Sequence, residues 1–252
     1  MALSKNSAKH IRSLAQKKFR QQHQQFVAEG DKIVRELLST SAVKIVIVVC
    51  TSDWYTKNTE LVAQRKAEVV EVTPTALNKI SQLKTANQVL AVVVQWQSEL
   101  NAATVSSDWS LYLERVQDPG NLGTILRIAD WFGIPNVICS PDCADLFNSK
   151  VIQSSMGAFM RIAAPRLELA QLHQQFPDIP IYASSLSGTS IYEQKQLKPG
   201  ILVMGNESRG ITEEAQTLAT AELKIPSYGK HDMESLNVAV ATGILCAALR
   251  FK

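Results

Sequence analysis

Apolar positions along the chain fall into short runs separated by polar turns, and their spacing changes from one segment to the next. Phe26, Val27, Ile33, Val34, Leu37 and Leu38 recur at helical spacing and predict one helix over 26–41, whereas the β-branched run at 43–50 predicts a buried strand. Helices at 59–67 and 75–83 and strands at 68–72 and 89–95 complete a small α/β unit over residues 1–100. Residues 101–110 carry no sustained periodicity and are expected to be a linker. Beyond it, over 111–252, strands at 111–116, 136–139, 179–183, 201–204 and 222–225 alternate with helices at 122–132, 145–159, 168–175, 212–219 and 236–250. Such alternation predicts an α/β domain with a mainly parallel sheet covered by helices on both faces. The last helix is apolar nearly all round, from Val238 to Leu249, which predicts burial on more than one side.

Composition narrows the classes. With 46% apolar and 19% charged residues, the 252-residue chain can bury a core without staples. The longest stretch free of charged residues, 235–249, is too short and too polar to span a bilayer, and the N-terminus lacks a secretory pattern. A cytoplasmic protein that does not enter membranes is expected. Four scattered cysteines suggest free thiols, and no ligand spacing suggests a metal site. The net charge is only +3, but no acidic residue precedes Glu29, while Lys5, Lys9, Arg12, Lys17, Lys18 and Arg20 all do. That asymmetry is the footprint of phosphate contact, unless it marks merely a solvated terminus.

Ligands of a parallel sheet bind beyond the carboxyl ends of its strands, which directs attention to three loops. The first, 117–123, joins the strand at 111–116 to a helix that Asn121 could cap; Arg127 lies off the apolar stripe of that helix. The second, Gly205-Asn206-Glu207-Ser208-Arg209-Gly210, is no phosphate-binding loop, because Ile211-Thr212 follow where a lysine would be needed. The third, 225–237, ends in Ser235-Leu236-Asn237 at the start of the last helix. No Gly-x-Ser-x-Gly elbow supports a serine hydrolase, and His231 has only Asp232 beside it.

Asn121-x-Gly123-x-x-x-Arg127, Met204-Gly205-Asn206-Glu207-Ser208-x-Gly210, and Ile225-Pro226 through Ser235-Leu236-Asn237-Val238-Ala239 resemble, in order and approximate spacing, the three motifs of the SpoU (TrmH) family of RNA ribose methyltransferases. Phe26-x-x-Glu29-Gly30 and Val34-x-Glu36-Leu37 resemble the small RNA-binding domain of its ribosomal-RNA members. Two features depart from the family: Ser227 stands where an aliphatic residue is usual, and the loop to Ser235 is longer.

The resemblance implies a deep trefoil knot, an exception to unknotted chains. It also implies methyl transfer from S-adenosylmethionine to a ribose 2′-hydroxyl, without a metal, in ribosomal RNA rather than transfer RNA. A transfer-RNA 2′-O-methyltransferase and a non-catalytic RNA-binding protein are the alternatives. The cofactor would lie beside Ser184, Leu186, Met204, Gly205, Ile225 and Leu236. Asn121, Arg127, Glu207, Ser235 and Asn237 would form the catalytic set, with Arg127 at the hydroxyl or a neighbouring phosphate. The basic N-terminal residues would contact RNA, and a homodimer would form through the knotted domain.

Overall fold

The structure is a computed structural model that describes residues 3–65, 67–194, 197–206, 208–229 and 235–251. The chain divides into two units: 1–96 with 147–157, and 97–146 with 158–252.

The first unit opens with helices α1 (Lys5–Ser13) and α2 (Lys17–His23). Ser4 Oγ accepts the Ser7 N–H at 3.0 Å and starts α1, whose apolar side delivers Ile11 and Leu14 to the core. The basic stretch is therefore helical. Next come β1 (Gln25–Glu29), α3 (Asp31–Ser39), β2 (Ile45–Cys50), α4 (Ser52–Arg65), β3 (Glu68–Glu71), α5 (Pro74–Asn78) and β4 (Val89–Val94). Their sheet has the order β1-β4-β2-β3, with only β2 and β3 parallel. On one face, Val27, Val49, Leu90 and Val92 pack with Ile11, Leu14, Leu77 and Ile80.

Two sequence expectations are corrected here. The single helix over 26–41 is a strand and a helix, because Gly30 turns the chain at φ +106° and Phe26, Val27 and Ala28 are all buried in the sheet. Arg20, expected at RNA phosphates, is only 3% exposed and donates to the carbonyls of Leu14 (2.9 Å) and Ala15 (2.8 Å). Its guanidinium holds the end of α1. Lys5, Lys9, Arg12, Lys17 and Lys18 remain exposed, the first three along one side of α1.

Glu29, 3% exposed, accepts from Ser81 Oγ (2.5 Å) and the Gln82 N–H (2.6 Å), pinning the loop before β4. Burial outweighs those bonds and pushes its carboxyl above the ordinary value. Its stabilising contribution is therefore full below the ordinary glutamate range and is lost as pH rises through the raised value. Glu29→Gln cannot ionise, so its thermal midpoint should fall less than that of wild type across this range; coincident pH profiles would count against a raised Glu29.

The second unit contains α6 (Ala102–Ser107), β5 (Ser110–Leu113), α7 (Pro119–Trp131) and β6 (Asn136–Cys139). The expected linker thus includes a helix, capped by Asn101. The chain then contributes α8 (Ser149–Ser155) to the first unit, where Phe147 stacks on Phe26 (4.7 Å) and Gln153 donates to the Glu29 carbonyl (2.7 Å). The helix expected over 145–159 is shorter, since Met156 adopts a left-handed φ of +51° and a 3-10 turn follows.

The rest is α9 (Leu169–Gln175), β7 (Ile181–Ser190), β8 (Ile201–Met204), α10 (Glu213–Leu218), β9 (Ala221–Lys224) and α11 (Val238–Arg250). All five strands are parallel, in the order β6-β5-β8-β7-β9. Tyr112, Ile138, Ile181, Ile201 and Val203 pack with Leu169, Leu172 and Ala215 from α9 and α10, while α7 and α11 pack on each other. This is an α/β sheet flanked by helices. Strand order runs in opposite directions from β5, which opens a crevice at its carboxyl end.

All four cysteines are buried and free. Burial pushes the Cys50 thiol up to about 11 and the Cys246 thiol up to about 12. Among the described residues, no helix is long and apolar enough to cross a membrane, and no cluster of His, Cys, Asp and Glu suits a metal ion.

Candidate active site

The expected strand at 111–116 stops at Leu113 because the next residues serve the crevice instead. Glu114 is 6% exposed, and its two carboxylate oxygens accept the Thr212 N–H (2.7 Å) and hydroxyl (2.5 Å). Thr212 is itself the N-cap of α10. The loop after β8 is thereby tied to the end of β5. Arg115 follows with φ +56°.

Helix α7 then begins at Pro119. Its N-cap is Asp118, whose carboxylate accepts the Asn121 N–H at 2.9 Å, so Asn121 is not the cap expected from the sequence. Pro at the first position and an acid before it are the better pairing, because proline lacks the N–H that would be orphaned there. The Asn121 side chain reaches α11 instead, where its Oδ1 accepts from Asn237 Nδ2 at 3.0 Å. Asn237 caps α11 through Oδ1, which accepts the N–H groups of Ala239 (3.0 Å) and Val240 (3.3 Å). One amide thus caps a helix with one end and joins it to α7 with the other. Leu122, Ile125, Leu126 and Ala129 are buried, while Arg127 is exposed and has no hydrogen-bond partner among the described residues.

The second loop folds back on itself. Asn206 and Gly210 exchange two backbone hydrogen bonds of 2.9 Å each. Asn206 Oδ1 accepts from the N–H groups of Ser208 (3.0 Å) and Arg209 (3.1 Å), and its Nδ2 donates to the Arg115 carbonyl at 2.8 Å. Gly205 is forced: a Cβ there would lie 2.4 Å from the carbonyl carbon of Gly210. Glu207 and His231 lie outside the described residues.

The residues expected to hold the cofactor lie along the same carboxyl edge. Met204 is 1% exposed, so its side chain belongs to the core. Between Ser184 and Thr189 the pairing of β7 with β9 shifts, and the intervening chain carries Leu186, 70% exposed. Ile225 is half-buried, and Leu236 is 46% exposed. Ser235 is exposed just before α11. Open apolar side chains beside strand-end backbone groups suit a flat heterocycle held by a few hydrogen bonds.

The structure therefore joins Asn121 to Asn237, and aligns Gly205, Met204 and Ser184 at neighbouring strand ends. It leaves the basic candidates in the other unit. Sequence reasoning gave no role to Glu114, Arg115, Asn206, Ser140 and Thr212. The signal available for the first two was a pair of charges interrupting the apolar run at 111–116.

Comparison with known proteins agrees with this geometry. Residues 108–247 match the SpoU rRNA Methylase family, and residues 5–91 match the MRM3-like substrate binding domain. The 23S rRNA (guanosine(2553)-2′-O)-methyltransferase RlmP of Bacillus subtilis is 29% identical over 96% of this chain and 95% of its own length. A TrmH-family protein from Porphyromonas gingivalis superposes with a TM-score of 0.86 at 39% identity, covering 100% of this chain and 99% of that one. An AdoMet-bound rRNA methyltransferase from Sinorhizobium meliloti gives a TM-score of 0.87 at 30% identity, covering 100% and 96%. Since the family's match extends over more than half of the residues, including all three loops of the crevice, this chain belongs to the SpoU rRNA methylase family.

Proposed function

We propose that this chain transfers a methyl group from S-adenosylmethionine to a ribose 2′-hydroxyl of ribosomal RNA. The observation that carries the reading is the Asn237–Asn121 bond, which fixes the N-termini of α11 and α7 together at the crevice, with Arg127 on α7 exposed and without a partner among the described residues. The relatives support it: RlmP is named a ribosomal-RNA 2′-O-methyltransferase, and the Sinorhizobium meliloti protein is an AdoMet-bound rRNA methyltransferase.

Bound S-adenosylmethionine supplies the electrophilic methyl group. Backbone groups at Ser184, Met204, Gly205 and Ile225, with Leu186 and Leu236 as apolar walls, would hold it. The chain must then bring the hydroxyl within reach and offset the charge that develops on its oxygen. A guanidinium stays protonated, so Arg127 serves as donor to that oxygen or to the adjoining phosphate, and a phosphate or water takes the proton. Glu207 would orient Arg127 and Asn121, while Ser235 and Asn237 complete the polar wall.

In the first unit, Lys5, Lys9 and Arg12 on one side of α1, with Lys17 and Lys18, form the contact for RNA phosphates. The combined Lys5→Ala, Lys9→Ala, Arg12→Ala variant should weaken RNA binding and flatten its salt dependence by a slope of about 2–3, with helix content unchanged. An unaltered slope would remove α1 from the interface. In the second unit, Val240 is 52% exposed, and Ala241, Gly243, Ile244, Ala247 and Ala248 are only half-buried within the chain. That open apolar side of α11 supports a homodimer through a knotted catalytic domain. Cytoplasmic residence accords with ribosomal RNA as substrate.

The reading is tested by tritiated methyl transfer into ribosomal RNA that lacks the modification, followed by digestion to nucleosides. Label in a 2′-O-methylnucleoside is expected. No incorporation, together with no heat of cofactor binding, would leave an RNA-binding protein without the enzyme activity.

A further inference from the structure

Arg115 carries two unfavourable features at once. Its φ of +56° is a conformation that glycine adopts freely and long side chains rarely do. Its Nε–H is buried without an acceptor, and its guanidinium forms no hydrogen bond or ion pair among the described residues. The other half-buried arginine of this unit, Arg250, instead meets Asp108 and the carbonyls of Phe132 and Gly133.

The backbone of Arg115 has no freedom to relax. Its N–H donates to Ser140 Oγ at 2.9 Å, from the loop after β6, and its carbonyl accepts from Asn206 Nδ2 at 2.8 Å, from the loop after β8. The first of these loops is itself held by Arg166, which donates to the carbonyls of Ser140, Pro141, Cys143 and Ala144. Three strand-end loops therefore converge on one strained residue, four positions before α7 begins. Strain concentrated at such a junction, with a cationic fork that has no partner among the described residues, marks a binding group awaiting its acceptor.

We infer that the Arg115 guanidinium receives an oxyanion of the bound substrates. Two sources offer this chemistry: a phosphodiester of the RNA beside the methylated ribose, and the carboxylate of the cofactor. The inference rests on the methyl-transfer reading. Its two terminal nitrogens, which unlike Nε are not buried, present a planar two-donor edge that matches both groups.

The test compares wild type with Arg115→Gly and Arg115→Lys in the full chain. Glycine relieves the backbone, so Arg115→Gly should melt at or above the wild-type temperature, and lost binding cannot then be attributed to unfolding. If the phosphodiester is the partner, KM for RNA rises roughly tenfold or more and the salt slope shrinks by about 1, while S-adenosylhomocysteine binds as before. If the carboxylate is the partner, calorimetry shows the S-adenosylhomocysteine Kd rising by about tenfold or more, with RNA affinity retained. Arg115→Lys restores part of either loss, because it keeps the charge without the fork. Unchanged affinity for both ligands in Arg115→Gly overturns the inference. A separate arm uses inorganic sulfate, which should raise the melting temperature of wild type more than that of Arg115→Gly. Were wild type to transfer no methyl yet show this difference, the oxyanion site would stand and the methyl-transfer reading would fall; transfer without any difference in sulfate response or affinity would do the reverse.

Discussion

Arg127→Ala should slow methyl transfer by about 100-fold to 1,000-fold while leaving the melting temperature of the protein unchanged. Arg127 is exposed on α7, off the stripe formed by Leu122, Ile125, Leu126 and Ala129, and has no partner among the described residues. Substitution of such a residue ordinarily changes stability by less than about 0.5 kcal/mol. Its proposed work arises only as the ribose oxygen gains charge, where removal of one well-placed donor typically costs about 100-fold to 1,000-fold in kcat. Cofactor affinity should be retained, because the proposed contact of Arg127 is with the hydroxyl or the adjoining phosphate. Arg127→Lys keeps the charge and loses the planar fork, so it should recover only a fraction of the rate. The decisive comparison is kcat beside the calorimetric cofactor Kd. Full activity in Arg127→Ala would remove Arg127 from the mechanism, and loss of folding would reassign it to structure.

Gly205→Ala should do the opposite and damage the site through its framework. The added Cβ would lie 2.4 Å from the carbonyl carbon of Gly210, 2.6 Å from its oxygen and 2.6 Å from the Ile211 nitrogen. These are backbone atoms, so no side chain can swing aside. Relief requires opening the paired hydrogen bonds between Asn206 and Gly210, and with them the Asn206 bond to the Arg115 carbonyl. A destabilisation of about 2–3 kcal/mol is expected from the overpacking and the broken bonds together, with cofactor binding lost. Gly210→Ala is the control. Its Cβ meets nothing within 4 Å, and only the φ of +66° is strained, for a cost of about 1 kcal/mol. Urea unfolding of both variants, with cofactor titration, separates the effects. Equal behaviour of the two alanines would show that the Gly205 contact is not what shapes the loop.

Much of the second unit was legible in the sequence. The strands at 136–139 and 201–204 coincide with β6 and β8, because a parallel sheet buries its strands on both faces and so demands unbroken apolar runs. The three loops were legible for a related reason. Glycine, proline and asparagine at strand ends are demanded locally, as the clash at Gly205 and the cap at Asn237 illustrate. The strand β1 was not legible: Phe26 and Val27 fit a helix stripe continued by Ile33 and Val34 as well as they fit a strand. Only pairing with β4 decides between them.

The sequence by itself determined the alternation of helix and strand in the second unit, the place of the three strand-end loops and the basic character of the N-terminus, because each depends on periodicity, turn chemistry or charge within a few residues. Tertiary structure alone decided which polar groups meet. It buried Arg20 against the end of α1, gave the cap of α7 to Asp118, turned Asn121 toward Asn237, and drew α8 into the first unit through Phe147 and Gln153. It also placed Glu114 and Arg115 between loops that lie 25 to 98 residues away in sequence. Such partners are chosen by the packing of distant segments, since a buried donor or acceptor takes whatever complement the fold brings to it, and no local pattern records that choice.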